Sequence, residues 1–370
     1  MARVLITGGA GFIGSHAANA LLAGGYEVRV LDNLSPQVHG AQRHRPTYLN
    51  KQAELIVGDV VDAPSVERAL RGVDMVLHLA SSVGVGQSMY DIASYVSTNE
   101  LGTAILLEAL SKRPVERLVV ASSMSIYGEG LCRSSDGSTV APAERPIVQL
   151  KKAEWELKDN QGRLLEPLPT PETKQPSLSS IYALNKYAQE RMCLITGNAY
   201  GIPTLALRFF NVFGPHQALS NPYTGVLAIF AARLLNNRPP LVFEDGLQRR
   251  DFVHVQDVAR ACLLALESNH SSDVFNIGSG QSRTIQSVAC DLARVMGRPK
   301  ILPEITGKCR SGDIRHCFAD IDKSRALLGF EPRVAFEDGL DELARYLADQ
   351  IAEDRAENAT EELLRRGLVA

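Results

Sequence analysis

Tryptophan occurs once, at Trp155, and no apolar run approaches the roughly 18 residues that a membrane-spanning helix needs. Charge of one sign is scarce too. The 39 lysines and arginines against 42 aspartates and glutamates leave a net charge of −3, with no basic face or arm for a phosphate backbone, which argues against a nucleic-acid binder. The six cysteines, Cys132, Cys193, Cys262, Cys290, Cys309 and Cys317, have no CxxC spacing; this disfavours a disulfide framework or zinc knuckle and fits a reducing compartment. Met1 leads directly into a strand pattern without a signal peptide, so a cytoplasmic protein is expected. Repeats and low-complexity tracts are absent. What is present is the composition of a globular protein, 370 residues with 45% hydrophobic and 22% charged, long enough for two domains or one large one.

Six apolar runs punctuate the first 210 residues: RVLITGG (3–9), EVRVLD (27–32), AELIVGD (53–59), DMVLHLA (74–80), ERLVVASS (116–123) and PTLALRFF (203–210). Rich in Val, Ile and Leu and without polar alternation, they have the character of strands buried on both faces. Helical patterns lie between them, at 12–23, 63–71, 92–110 and 180–199. Repeated βα units imply an α/β fold with a doubly wound parallel sheet. After residue 211 the pattern changes to longer helices and scattered short strands, among them PLVFEDG and DVFNIGSG, with NPYTGV and GKCRSGDIRH as polar loops. This suits a smaller mixed α/β lobe capping the strand ends. Residues 131–179 hold six prolines, many charges and Trp155, and form an inserted excursion of the kind that serves as a lid, binding element or small subdomain.

TGGAGFIG follows the first strand and opens the first helix, placing Gly8, Gly11 and Gly14 where backbone must turn tightly and approach a pyrophosphate resting on the helix amino terminus. Asp32 ends the second strand, where a carboxylate accepts hydrogen bonds from the adenosine ribose and repels a 2′-phosphate. NAD is therefore favoured over NADP, with Arg43, His44 and Arg45 downstream as the cations that speak for the phosphate. Asp59, ending the third strand, is placed to meet the adenine. The context makes the sheet a Rossmann-type one.

YALNK sets Tyr182 and Lys186 four apart, on one face of a helix. An ammonium beside a phenol, with a positive nicotinamide ring nearby, favours phenolate, and such a tyrosine can take a proton from a sugar hydroxyl. The pair gains force from VVASSMSIYG, a serine-rich strand end at the edge where ligands gather in such sheets.

TGGAGFIG with Asp32, HLAS at 78–81, the serine-rich strand end, Tyr182 with Lys186, LRFFNVFGP and RRDFVHVQDVA together resemble the extended short-chain dehydrogenase/reductases, specifically the nucleotide-sugar epimerases and dehydratases, over roughly residues 2–347. VGVGQSM, the insert and NPYTGVLAIF resemble the 4-epimerase group, of dTDP-L-rhamnose and UDP-sugar type. The resemblance implies residues 1–210 as an NAD-binding domain carrying the insert 131–179, 211–347 mainly as a substrate lobe with some segments returning to the sheet, and 348–370 as a charged surface helix or tail. It implies Ser123, Tyr182 and Lys186 as catalytic. The implied cofactor set is Gly8, Gly11, Phe12, Ile13, Gly14, Asp32, Asn33, Asp59, Val60, Leu79, Ala80, Ser81, Asn99, Ser122, Tyr182, Lys186 and Phe209.

For a nucleotide-diphosphate sugar, the resemblance implies Arg250 and Arg310 at the diphosphate, Asp313 at the nucleotide ribose, Asn211 at the diphosphate or sugar, and Ser88, with Gln87, and Ser123 on the sugar side. Cys317 falls where some relatives carry a tyrosine on the pocket wall, and a small residue there would widen it, leaving the hexose open. The 4,6-dehydratases carry an Asp-Glu pair after the hydroxyl residue to eliminate water; here the positions are Met124 and Ser125, which favours epimerisation at C4 through a transient ketone. A 4,6-dehydratase or decarboxylating lyase, and a cofactor-binding sensor without catalysis, are the competing readings. Some relatives carry paired cysteines in the insert; with Cys132 alone there, no metal is expected. Dimers are common in this family, and the helices near 100–110 and 182 would pair.

Overall fold

The computed structural model describes residues 1–219, 221, 223, 225–310, 312–350 and 354–369. Pro222 and Thr224 of the NPYTGV loop, Ser311 of the second polar loop and residues 351–353 and 370 of the tail lie outside them. Seven parallel strands form the main sheet: β1 (Arg3–Thr7), β2 (Glu27–Asp32), β3 (Glu54–Val57), β4 (Met75–His78), β5 (Arg117–Ser123), β6 (Thr204–Phe209) and β7 (Asp273–Ile277), in the order β7-β6-β5-β4-β1-β2-β3. The order reverses between β1 and β4, and the crevice outside their carboxyl ends is the place for a ligand. Val4 and Ile6 of β1 pack into one core with the helices Phe12–Ala23 and Val255–Glu267, while Leu5 packs into another with the helix Gly102–Lys112. Each strand is thus covered on both faces, which explains why its sequence lacks polar alternation.

Two elements differ from the sequence expectation. DVFNIGSG, read with the smaller lobe, supplies β7, which continues the main sheet beside β6 because Phe275 and Ile277 join the first core. The 92–110 helix is three pieces, Ile92–Val96, a π-turn Ser97–Leu101 and Gly102–Lys112. The wider turn is the kind often found at functional sites.

In the smaller lobe, strand Arg249–His254 pairs with Asn211–Phe213, Ser282–Thr284 and His316–Cys317. The helices Val226–Leu235, Ile285–Val295 and Phe336–Leu347 close a core of Phe213, Phe230, Leu292 and Leu340 around it.

The insert is a three-stranded sheet around Cys132, Leu157 and Leu165. It is bolted to the smaller lobe by charge. Arg145, with a side chain 4% exposed, pairs with Glu244 at 2.9 Å and Glu129 at 3.4 Å and donates to the Asp313 carbonyl. Glu156 accepts from Arg315 (2.5 Å) and pairs with His316 (3.0 Å), and the wholly buried Arg315 also meets Glu244 and Asp245. Residues after 347, expected as a surface helix, form the helix Ala356–Arg365 with Ala359 and Leu363 buried against the body. Among the described residues no helix is long and apolar enough to cross a membrane.

Candidate active site

The glycines at the β1 turn are fixed by contact. Gly8 has φ +70°, and a Cβ there would lie 2.9 Å from the Ala80 backbone; one on Gly14 would lie 2.5 Å from the Gly8 carbonyl. Only glycine lets strand and helix close so tightly. Phe12 and Ile13 begin the helix beside them. The Asp32 carboxylate accepts from the backbone N–H groups of Ala10 (3.0 Å) and Leu34 (2.9 Å), which aims it at the cleft. Asn33 donates to Asp59 at 2.8 Å. A cleft of about 410 Å3 is lined by Gly8, Asp32, Asn33, Asp59, Val60, Leu79, Ala80 and Ser81. Arg45 donates to the carbonyls of Asn50 and Ala53, so its guanidinium is occupied in the loop. A carboxylate at the ribose position and a pocket of dinucleotide scale fit NAD.

Three residues of the expected cofactor set are buried and engaged with the protein itself. Asn99, wholly buried, holds the turn after β4: its Oδ1 accepts from Ser82 N (2.7 Å) and Ser81 Oγ (3.1 Å), and its Nδ2 donates to the Ser82 carbonyl. Ser122 donates to Glu190 at 2.7 Å, in a buried network with Arg208 and Tyr127. Phe209 packs into the first core.

At the carboxyl end of β5 the chemistry-bearing side chains meet. The Ser123 hydroxyl lies beside the Tyr182 phenol, near enough to oppose the rise that burial gives it, and it accepts from Ser125 N at 3.1 Å. Tyr182 lies in the first turn of the helix Ile181–Tyr200, capped by Ser180, whose hydroxyl accepts from Ala183 N. Ser88, expected on the sugar side, is wholly buried; its hydroxyl accepts from Tyr182 N at 3.0 Å and so anchors the catalytic turn. Gln87 faces the cofactor cleft.

Lysine alone does not acidify the phenol. Burial pushes Tyr182 up, and the Ser123 hydroxyl opposes it. Burial also pulls the Lys186 ammonium down to about 8. Its Nζ donates to Gln189 Oε1 at 2.8 Å rather than to the phenol. Gln189 in turn donates to Thr103, which is bonded to the buried His78 and, through it, to Thr7. This chain was missed in the sequence. Its signal was there: Asn185, Lys186, Gln189 and Glu190 make a polar stripe on the buried face of a helix.

Met124, 7% exposed, packs with Ile126, Tyr127, Phe210 and Cys317. Cys317 is wholly buried within the same cluster, and burial pushes its thiol up to about 12. Arg310 bonds Asp313 at 2.9 Å and lies over the Phe243 ring. Arg250 donates to the carbonyls of Ile314 and Arg315. Asn211 carries a buried Oδ1 without a hydrogen-bond partner.

Residues 4–147 and 162–278 match the NAD-dependent epimerase/dehydratase family. The chain belongs to that family. As an epimerase/dehydratase family member it is an enzyme that uses NAD. It is 36% identical to dTDP-L-rhamnose 4-epimerase of Burkholderia thailandensis over 94% of this chain and 96% of that one. Among solved structures it resembles UDP-glucose 4-epimerase of Thermotoga maritima with UDP-glucose, at 32% identity and TM-score 0.76, covering 94% of this chain and 98% of that one. It also resembles the Thermus thermophilus UDP-glucose 4-epimerase complex with NAD, at 33% identity and TM-score 0.74, covering 94% and 99%. The expected family, fold and cofactor are those found.

Proposed function

We propose that this enzyme is a nucleotide-sugar 4-epimerase that inverts C4 of a dTDP-6-deoxyhexose of the dTDP-L-rhamnose type. The observation that carries the reading is the Ser123 hydroxyl beside the Tyr182 phenol at the end of β5, opposing the rise that burial gives that phenol, followed by Met124 and Ser125 instead of a titrating pair. The relative of that activity at 36% identity supports the sugar and the base.

Bound NAD supplies a hydride acceptor and donor. Tyr182 Oη takes the proton of the sugar 4-hydroxyl and later returns one, and Ser123 holds that oxygen in line through its own hydrogen bond. The burial that raises Tyr182 has to be offset: Ser123 opposes it, and Lys186, one helical turn on, would add its charge to that of an oxidised nicotinamide held in the cleft. Met124 presents a thioether where elimination would need an acid or base, so the transient 4-ketone turns and is reduced on its other face. Arg250 and Arg310 take the diphosphate, Asp313 the ribose, and the unpartnered Asn211 Oδ1 a hydroxyl of the ligand. The cofactor side chains are those lining the cleft, with Asn99 holding its wall.

We assign residues 1–210 to NAD, 211–347 mainly to substrate, and 348–370 to a tail. Exposed Val96, Leu101, Leu184 and Ile195 on the helices flanking Tyr182 support a homodimer through them. The free thiols of Cys132, Cys193, Cys262, Cys290 and Cys317 support a cytoplasmic setting.

The test is incubation with a panel of dTDP- and UDP-sugars followed by NMR. A C4 epimer of a dTDP-6-deoxyhexose is expected; turnover of UDP-hexoses alone would move the assignment to the UDP-sugar 4-epimerases, and a 4-keto-6-deoxy product to the dehydratases. Tyr182→Phe should abolish turnover and leave NAD binding intact.

A further inference from the structure

The segment 354–369 crosses between the two lobes and rests on the site. At one end Asp354 and Glu357 pair with Arg233 and Arg238 of the smaller lobe, at 3.1 to 3.4 Å. Arg233 and Asp354 are almost wholly buried, with side chains 3% and 4% exposed. At the other end the segment reaches the NAD-binding side. Leu363 sits on Gly86, so close that a Cβ there would lie 3.2 Å from its Cδ1, and the Arg366 guanidinium lies 4.3 Å above the Tyr90 ring. Val369 makes an antiparallel bridge with Arg310.

Beneath this strap lies a cavity of about 10 Å3, bounded by Val85, Gly86, Met89, Arg310, Asp313 and the two leucines Leu363 and Leu368. That is room for one water at most. The floor belongs to the site itself: Arg310 and Asp313 on one side and, on the other, the turn whose Ser88 anchors Tyr182. While the strap is seated this cavity has no room for a pyranose.

We propose that residues 354–369 are a gate over the nucleotide-sugar site, lifting from Gly86 and Arg310 to admit ligand and reseating with Leu363 and Leu368 as its wall. The proposal rests on the nucleotide-sugar reading above. The ion pairs to Arg233 and Arg238 form the hinge end, since they are the contacts farthest in sequence from the leucines. The apolar contacts form the latch. A latch made of two leucines on a glycine is released without leaving a buried charge unpaired.

The experiment measures association and dissociation rates of dTDP and of UDP, by stopped flow, on the NAD-loaded full chain, on a chain ending at residue 353, and on Leu363→Ser. Unchanged NAD content and circular dichroism establish that each variant is folded. If the gate controls access, both rate constants rise about tenfold or more in the shortened chain and in Leu363→Ser, the scale on which loss of one buried leucine shifts an opening equilibrium, while the dissociation constant changes less. Rates equal to those of the full chain in both variants overturn the gate and leave the substrate reading standing. Failure of all three proteins to bind either nucleotide overturns the substrate reading, and the gate with it.

Discussion

Replacing Arg145 with methionine tests whether the insert holds the substrate segment or merely lies on it. The guanidinium pairs with Glu244 at 2.9 Å and Glu129 at 3.4 Å while its own side chain is 4% exposed. Burial already pushes both carboxyls up, and Arg145 is the largest force holding them down. Breaking a buried pair by removing one partner costs about 3–5 kcal/mol. Here the lower end applies, about 3 kcal/mol, because Glu244 keeps Arg315 and Glu129 keeps the N–H groups of Arg315 and His316.

The loss also has a definite pH sense. A carboxyl whose pKa is raised on folding destabilises the fold above that pKa and ceases to do so below its unfolded value, and removing Arg145 raises both further. The melting-temperature gap between variant and parent should therefore be widest near about pH 8 and narrow toward about pH 5. Function should follow geometry: with the Asp313 carbonyl released, the segment bearing Arg310 and capped by Arg250 shifts, raising KM for the nucleotide sugar about tenfold with kcat within about twofold. Thermal unfolding against pH, with NMR-followed epimerisation, reads both. A variant with the parent's melting temperature and KM would refute the clamp.

Lys186→Met should abolish turnover yet stabilise the chain. A buried ammonium drawn from 10.5 to about 8 corresponds to about 3 kcal/mol against the fold below that pH, and the lost bond to Gln189 returns about 1 kcal/mol of it. The gain of about 2 kcal/mol, read by thermal unfolding, should vanish as pH rises toward the lysine's unfolded value. Ser88→Ala removes the acceptor of Tyr182 N and should lower kcat about fivefold with unchanged NAD content, since about 1 kcal/mol of anchoring is lost at the catalytic turn. Gly14→Ala places a Cβ 2.5 Å from the Gly8 carbonyl, and the purified protein should carry no NAD by absorbance after denaturation. Glu156→Gln should weaken the insert chiefly above its acidic range: the hydrogen bond from His316, then that from Arg315, holds the carboxyl at about 2, stabilisation present above the unfolded value of 4.5 and lost as pH falls toward 2. With that side chain 38% exposed, about 1 kcal/mol is expected in urea unfolding.

The sheet was legible because burial on two faces removes ambiguity. Each of the six apolar runs contains one strand of the sheet, and Phe12–Ala23 is the helix that the glycine motif implies. β7 was harder, since Asp273–Ile277 follows the smaller lobe's elements in sequence and only its packing with β6 assigns it to the main sheet. The contact between Ser123 and Tyr182 was legible from residue type and fold together. What escaped was who holds whom. Ser88, Asn99 and Ser122 are polar residues in the right stretches, yet their bonds run to a backbone N–H, to a turn and to Glu190. Spacing along the chain carries no record of such choices, which depend on neighbours distant in sequence. Cys317 likewise packs with Met124 and Phe210, a contact that spacing along the chain does not record.

Arg315 is satisfied by acids from stretches made well before it, Glu156, Glu244 and Asp245. On a ribosome those carboxylates emerge before the arginine, and Glu244 already has Arg145 for a partner. The smaller lobe therefore reaches its final shape late in synthesis, and a chain released before residue 315 would leave Glu156 and Asp245 without the guanidinium they share, while Glu244 keeps Arg145.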